Sequence, residues 1–363
     1  MHIQNNKLCK VIENFAIEGS LTSIQVHKEG HINTTFFSTF SNQGTIKKYT
    51  HQRINTLVFK HPIELMENIS LVTSHIRTKI TGLYDDAEQR CLRVIPTHTG
   101  ANVYIDEEGA YWRTYQYIDH VKTFNTITDA YQAYLLGEAI GNFQLQLSDL
   151  DGNLLHETIP HFHDMRLRYA QLQEAMTVNH TNRIQEVGLE LEYLLHNKER
   201  GFILWDKLQE GFLPVRVTHN DTKINNVLFN LEGNDALCII DLDTVMPGTI
   251  LFDTGDMIRT ATTTAEEDAT DLSQVQCDTV LHKALLEGYF SKAGFLTPLE
   301  KSLVVESGRN IPQIMAVRFL TDFLNGDQYY NIERENQNLD RARTQIALMQ
   351  DMDRKWKVLS QGV

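Results

Sequence analysis

The chain has no CxxC pair: Cys9, Cys91, Cys238 and Cys277 are scattered without zinc-ligand spacing. A sequence-local zinc centre is thereby excluded, and four small buried thiols in a reducing compartment are expected. No apolar run reaches membrane-spanning length, and the amino end MHIQNNKLCKVIENF lacks the apolar core of a signal peptide. The expectation is a cytoplasmic protein with no membrane partner. Positive charge is scarce as well, with 33 Lys and Arg against 47 Asp and Glu and a formal net charge of -14. Binding along a nucleic acid needs a basic face to neutralise phosphates, so no nucleic-acid partner is expected. An anionic substrate would need local help from a metal ion or a few cationic groups. There is no internal repeat, no low-complexity block, and no C/S-x-P-x-R segment of the kind formylglycine hydrolases require.

What is present is a chain of 363 residues, 42% apolar, which fits one large domain or two packed ones. The first third reads as strands around one helix. HINTTFFSTF and TIKKYTHQRI are β-type runs joined by the turn SNQG. HPIELMENISLVTSHI has Pro near its start and Ile63, Met66, Ile69 and Ile76 at helical spacing. ANVYIDEEGAYWRTYQYI predicts another hairpin, turning at Asp106 to Gly109. From Thr126 the pattern changes. Thr126-x-x-Asp129 is a capping-box pattern, and Tyr131, Leu135, Ala139, Phe143 and Leu147 repeat every four residues. The expected organisation is α+β: a small β-rich lobe over 1–118 and a larger, mostly helical lobe over 119–363.

Residues 216–230, RVTHNDTKINNVLFN, pose the functional question. Between strand-like PVRVT and VLF lies the polar run 219–226, with neither Gly nor Pro and longer than the roughly two to five residues of a hairpin loop. VLFN, LEGNDA and LCII then read as a β-hairpin. In a simple register Asn230 faces Leu237, which puts Asn226 opposite Asp241, at the about 5.5 Å Cβ separation of directly opposed residues. One carboxylate and one amide oxygen suit magnesium, which completes its shell with water and phosphate oxygens. Asp221 would stand beside that metal, free to take a proton, as phosphoryl transfer requires. A polar loop capping backbone groups would use the same residue types. The ordered set His219, Asp221, Asn226 and Asp241 favours a site.

His219-x-Asp221-x-x-x-x-Asn226 followed by IIDLD resembles the catalytic loop and metal-binding Asp of the aminoglycoside phosphotransferase and choline kinase group. THNDTKINNVLF, IIDLDTVMPG, GHINTTF, QRIN, VFKHP, LMENI and RFLTDFLNGDQYY resemble, more narrowly, the subgroup of N-acetylhexosamine 1-kinases. The resemblance implies a two-lobed protein-kinase-like fold and transfer of the γ-phosphate of ATP, with Mg2+, to the anomeric hydroxyl of N-acetylglucosamine or N-acetylgalactosamine. It implies that Asp221 is the catalytic base, that His219 orients the loop, that Asp241 and Asn226 hold magnesium, and that Asp243 supports them. Asp243 would equally serve as an outward-facing strand charge. The same fold acting on an aminoglycoside, choline or another small alcohol is the alternative. A pseudokinase would lack the base or the metal Asp, and both are present.

The amino-terminal lobe departs from the kinase pattern. No Gly-x-Gly-x-x-Gly loop exists, and only Gly30 sits where phosphates would be covered. Asn33 and Thr34 could donate hydrogen bonds to phosphate, and they equally suit an edge strand. The strand expected to supply a phosphate-binding Lys reads KKYTHQRIN, so Gln52 or Arg53 stands in its place, with Glu64 and Glu67 as candidate partners. For the acceptor, the resemblance implies contacts from His31, Arg318 and Tyr329 beside Asp221. From spacing alone, Arg318 would pair with Asp322 at i,i+4.

Overall fold

The computed structural model describes residues 2–27 and 32–361. Gly30 and His31 therefore lie outside the described residues. The chain divides into two compact units, the first comprising Met1–Thr123, Asn153–Ile159 and Val227–Pro247, the second Phe124–Gly152, Pro160–Asn226 and Gly248–Val363. Each is an ordinary consequence of its own residue pattern.

The first unit is built on a five-stranded antiparallel sheet, in the order Ser20–His27, Thr34–Asn42, Thr45–Arg53, Tyr111–Gln116, Tyr104–Ile105. The expected hairpin pairs Thr34 with Arg53 through to Asn42 with Thr45. Its two loop residues, Gln43 and Gly44, have φ of 50° and 86°, the positive values that a tight turn matching strand twist demands. The Asp106–Gly109 turn also forms, with Asp106 Oδ1 accepting the Glu108 and Ala110 amides. The helix Pro62–Ile80 starts at the expected proline and buries Met66, Ile69 and Ile76, whereas Ile63 is exposed.

Neither the edge strand Ser20–His27 nor the first helix was anticipated. His2–Ile12 is a helix, and Leu8, Val11, Ile12 and Phe15 pack against Phe40, Tyr49 and Trp112 of the sheet. Their i, i+3, i+4, i+7 spacing is helical, but the polar run that precedes them masks it. The small sheet Val121–Lys122, Val227–Asn230, Ala236–Ile239 corrects the expected register. Val227 pairs with Ile239 and Leu228 with Cys238, one residue off the simple count, and a bulge follows at Phe229. Asn230 donates its amide to the Asp235 carbonyl rather than facing Leu237, because its side chain closes the Gly233–Asp235 turn from within.

The second unit is helical. Ala130–Gln146 begins at Asp129, whose side chain accepts the Gln132 amide at 2.9 Å, so the cap is three residues later than the expected Thr126. Tyr131 is exposed while Leu136 and Ile140 are buried, because a strict four-residue stripe drifts around a 3.6-residue helix. This helix packs against Thr279–Lys292 at glycine contacts: a Cβ at Gly137 would lie 2.0 Å from the Leu285 carbonyl oxygen. Pro298–Leu324, opened by a Thr297/Glu300 capping box, lies against Ile250–Thr262 and Gln337–Leu359. At Gly255 a Cβ would lie 2.5 Å from the Ser307 carbonyl oxygen, so the helix Ile250–Thr262 is pressed tightly into the unit.

In the first unit His51 is buried between Ser38 Oγ (2.7 Å) and Thr114 Oγ1 (2.8 Å), and burial pushes its pKa down to about 4. His282, in the second unit, is pushed down to about 4 by the same cause. Both stay neutral in the folded protein where the unfolded chain would take up protons. Their stabilising contribution is full above the ordinary histidine pKa and is lost as pH falls from there toward 4, by up to about 3 kcal/mol each. The thermal midpoint should therefore fall between pH 6.5 and 4, and more steeply in the wild type than in His51→Gln; parallel curves for the two proteins would contradict the assignment.

Candidate active site

In the second unit the strand Arg216–Thr218 runs into the polar loop, which ends in the short 3-10 turn Ile224–Asn226. The loop bends at Asn220, whose φ of 66° lies in the left-handed region that Asn tolerates. Asn220 Nδ2 donates back to Thr218 Oγ1 at 2.9 Å. Asp253, wholly buried in the helix Ile250–Thr262, accepts the His219 amide at 3.0 Å and the Asn220 amide at 2.7 Å. Its carbonyl accepts the Thr222 hydroxyl at 2.7 Å, and Asp256 Oδ2 accepts the Thr222 amide at 2.9 Å. Burial raises the Asp253 pKa, opposed by the nearby His219 and by the amides it accepts. Gln144 donates to it at 3.1 Å and is itself held by the Tyr289 hydroxyl at 2.7 Å.

This scaffold presents Asp221. His219 is buried against the edge of Phe143, and its Nδ1 accepts the Asp221 amide at 3.2 Å. Asn226 Nδ2 donates to Asp221 Oδ2 at 2.8 Å and to the Asp221 carbonyl at 2.9 Å. Lys223 Nζ lies 3.1 Å from the same carboxylate, which is 28% exposed. Asp221 and Lys223 line a cavity of about 560 Å³ together with Asn125, Arg259 and Thr264. His219, Asp221 and Asn226 are thus brought together, with the carboxylate facing open space.

The other expected residues fall into two further groups. In the first unit Asp241 has φ of 61° and leads into the turn Leu242–Thr244. Asp243 is buried and engaged on both oxygens, by Arg113 Nη1 and by Asn33 Nδ2, the latter at 2.6 Å. Asn33 Oδ1 in turn accepts the Asn55 amide at 2.9 Å. Gln52 accepts from Arg113 Nε at 2.9 Å and donates to Thr35 at 3.1 Å. Thr34 and Arg53 are paired in the hairpin register, and both are exposed. Glu67 bonds His156 at 2.8 Å rather than a residue of the strand Thr45–Arg53.

Arg318 and Tyr329 lie in the second unit, on a separate cavity of about 430 Å³ with Arg168, Glu174, Asp322 and Tyr330. The i,i+4 pairing of Arg318 with Asp322 does not form. Asp322 instead accepts the backbone amides of Gln328, Tyr329 and Tyr330 at 2.8–3.0 Å, fixing the turn that carries Tyr329. Arg318 lies over the rings of Phe162, Tyr329 and Tyr330 at 5.1–5.9 Å. His163, stacked on Phe252, sits between this cavity and the loop. Burial and then the Arg318 and Arg168 charges push its pKa down to about 3, while Asn220 opposes that shift.

Asp253, Asp256, Arg113 and Arg168 were not anticipated. Asp253 and Asp256 interrupt the apolar run ILFDTGDMI, where a buried carboxylate needs partners, and that was a usable signal. Arg113 in YWRTYQ reads as an outward strand charge until the sheet order is known. Among the described residues no helix is long and apolar enough to cross a membrane, and no three His, Cys, Asp or Glu side chains gather as a metal cluster.

Against known proteins, the chain aligns over 94–99% of its length with solved phosphotransferase and kinase structures. It shares 10% identity and a TM-score of 0.58 with an aminoglycoside phosphotransferase from Alicyclobacillus acidocaldarius, over 95% of each chain. A microcompartment-associated aminopropanol kinase matches at 11% identity and a TM-score of 0.55, over 99% of this chain and 98% of that one. A spectinomycin phosphotransferase, solved with ADP and spectinomycin, matches at 13% identity and a TM-score of 0.53, over 94% of this chain and 97% of that one. At such identities the likeness is one of fold, and it bears out the expected α+β, two-lobed kinase-like architecture. The sequence profile of the phosphotransferase enzyme family matches residues 85–284, more than half of the chain. The chain therefore belongs to the phosphotransferase enzyme family.

Proposed function

We propose that this phosphotransferase moves the γ-phosphoryl group of ATP to the anomeric hydroxyl of an N-acetylhexosamine, giving the sugar 1-phosphate and ADP. The observation that carries the reading is the Asp221 carboxylate, fixed by Asn226 and Lys223 yet open on a cavity. The acceptor oxygen bonds to the γ-phosphorus as the bond from that phosphorus to the β,γ-bridging oxygen breaks. Asp221 takes the hydroxyl proton, and ADP leaves with the bond's electron pair. His219, through its bond to the Asp221 amide, orients the base.

Magnesium fits the donor chemistry. Among the described residues both hydrogen bonds of the Asn226 side-chain amide run from Nδ2 to Asp221, which leaves Oδ1 as an oxygen donor, and Asp241 adds a carboxylate. When bound, magnesium neutralises charge on the phosphate oxygens. Asp243, with both oxygens already engaged, serves as the support of this set rather than as a direct ligand. Asn33, Thr34, Gln52 and Arg53 line the nucleotide side, and Gly30 joins them in this proposal. The acceptor is held by Arg318 and Tyr329, and His31 is assigned to it as well. The organisation proposed from sequence, a nucleotide lobe over 1–118 and an acceptor lobe over 119–363, belongs to the same reading.

The structural neighbours act on an aminoglycoside, an aminopropanol and spectinomycin, so an amine-bearing acceptor is the natural rival. The cavity of Arg168 and Arg318 favours a neutral sugar. Among the described residues neither guanidinium has an ion pair, and burial together with the Arg318 charge lowers the Arg168 pKa. An ammonium group there would meet two like charges in a partly desolvated site, because of the two carboxylates in the lining Asp322 is taken up by three backbone amides and Glu174 is exposed to solvent.

Two measurements test this. In a coupled ADP-release assay, Asp221→Asn should lose at least about 10²-fold in turnover with ATP binding unchanged; near-normal turnover would remove Asp221 from the mechanism. Across an acceptor panel, N-acetylglucosamine and N-acetylgalactosamine should outperform glucose, galactose, choline and kanamycin. Arg318→Gln should raise KM for the sugar about tenfold, as loss of a charged hydrogen bond does, without changing KM for ATP. Preferred turnover of kanamycin or choline would keep the kinase and overturn the sugar.

A further inference from the structure

We propose that Arg113 is the cation that contacts the phosphates of the bound nucleotide, one strand away from the lysine position that the strand Thr45–Arg53 leaves without a lysine. This rests on the kinase reading above. Arg113 pairs directly with Gln52 across the sheet, so the two side chains share one face. It is 2% exposed, among the largest fully buried side chains of the described residues. Its guanidinium is held on two sides: Nε donates to Gln52 at 2.9 Å and Nη1 pairs with Asp243. Nη2 has no hydrogen-bond partner among the described residues. The plane lies 5.3 Å from the centre of the Tyr115 ring, which limits its rotation.

The position is informative. Asp243 lies two residues after Asp241, and its other oxygen accepts from Asn33, the residue that precedes the strand Thr34–Asn42. Arg113 therefore joins three of the segments proposed to meet the nucleotide, those of Asn33, Gln52 and Asp241. The alternative cation, Arg53, is exposed and makes no ion pair among the described residues. A protein of net charge -14 that binds a polyanion needs such a local cation. Stability alone is a weak reason for the pair. Desolvation of two charges cancels much of their attraction, and apolar replacements of buried pairs are often as stable. A fixed guanidinium with a spare donor is, in contrast, well suited to a phosphate oxygen.

The test is calorimetric titration of the whole protein with ADP and with adenosine, both in EDTA, so that no metal contributes. Arg113→Met should weaken ADP by about 10- to 100-fold, the loss of a charge-assisted bond, and leave adenosine unchanged. Because Arg113→Met strands Asp243 in the interior, the double variant Arg113→Met/Asp243→Leu is measured beside it, with its melting temperature. It should fold and show the same selective loss of ADP, while Arg113→Lys recovers part of the affinity. A folded double variant that binds ADP like the wild type overturns the proposal, as does an equal loss of ADP and adenosine, which marks a purely structural pair. A wild-type protein that binds neither ligand overturns the kinase reading with it.

Discussion

Asp253 takes the backbone amides of His219 and Asn220 onto one carboxylate, inside a core where it is wholly buried. Burying a lone carboxylate costs several kcal/mol, and each charged hydrogen bond returns about 1.5–3 kcal/mol, so the two amides and Gln144 together roughly offset it. That balance lets a polar loop pass through the interior. It also holds Asn220 in its left-handed conformation, without which the chain would not turn to present Asp221. Thr222, caught by the Asp253 carbonyl and by Asp256, fixes the far side of the turn. The helix that supplies both carboxylates is itself set by the close approach at Gly255. The geometry of Asp221, the proposed base, is therefore inherited from helix packing through these hydrogen bonds.

Each unit handles charge in its own way. In the first, an aspartate near the proposed metal ligand is matched by one buried arginine and one amide, Arg113 and Asn33. In the second, two arginines share a cavity with aromatic rings and have no ion pair among the described residues. Both arrangements fix cationic groups at defined points within an acidic chain. Local fields of this kind, more than net charge, determine which ligand a site accepts.

How much was legible in the sequence depended on the range of the signal. The hairpin Thr34–Arg53 and the Asp106 turn were readable because alternation and turn residues are local. His219, Asp221 and Asn226 stood out because an interior stretch without Gly or Pro had become polar, and the structure gathers those three. The pairing of Asn226 with Asp241 by counting was undone at the turn, where Asn230 meets Asp235 instead of Leu237, and the bulge at Phe229 restores only one of the two residues lost. Arg113 and Asp253 were missed for a different reason. Arg113 looks like a surface charge on its own strand and acquires meaning only from Asp243, 130 positions away; Asp253 does interrupt an apolar run, but the run does not name its partners, 34 positions away. The Arg318–Asp322 pairing failed because backbone amides of a following turn competed for the same carboxylate.

The central claim is transfer of a phosphoryl group from ATP to the anomeric oxygen of an N-acetylhexosamine. Phosphorus NMR of the product formed from ATP, magnesium and N-acetylglucosamine tests it most directly. The account predicts one new phosphate ester coupled to the anomeric proton, stable to alkali and released by mild acid. A resonance coupled to the protons of the sixth carbon, or no new ester while ATP is consumed, would contradict it.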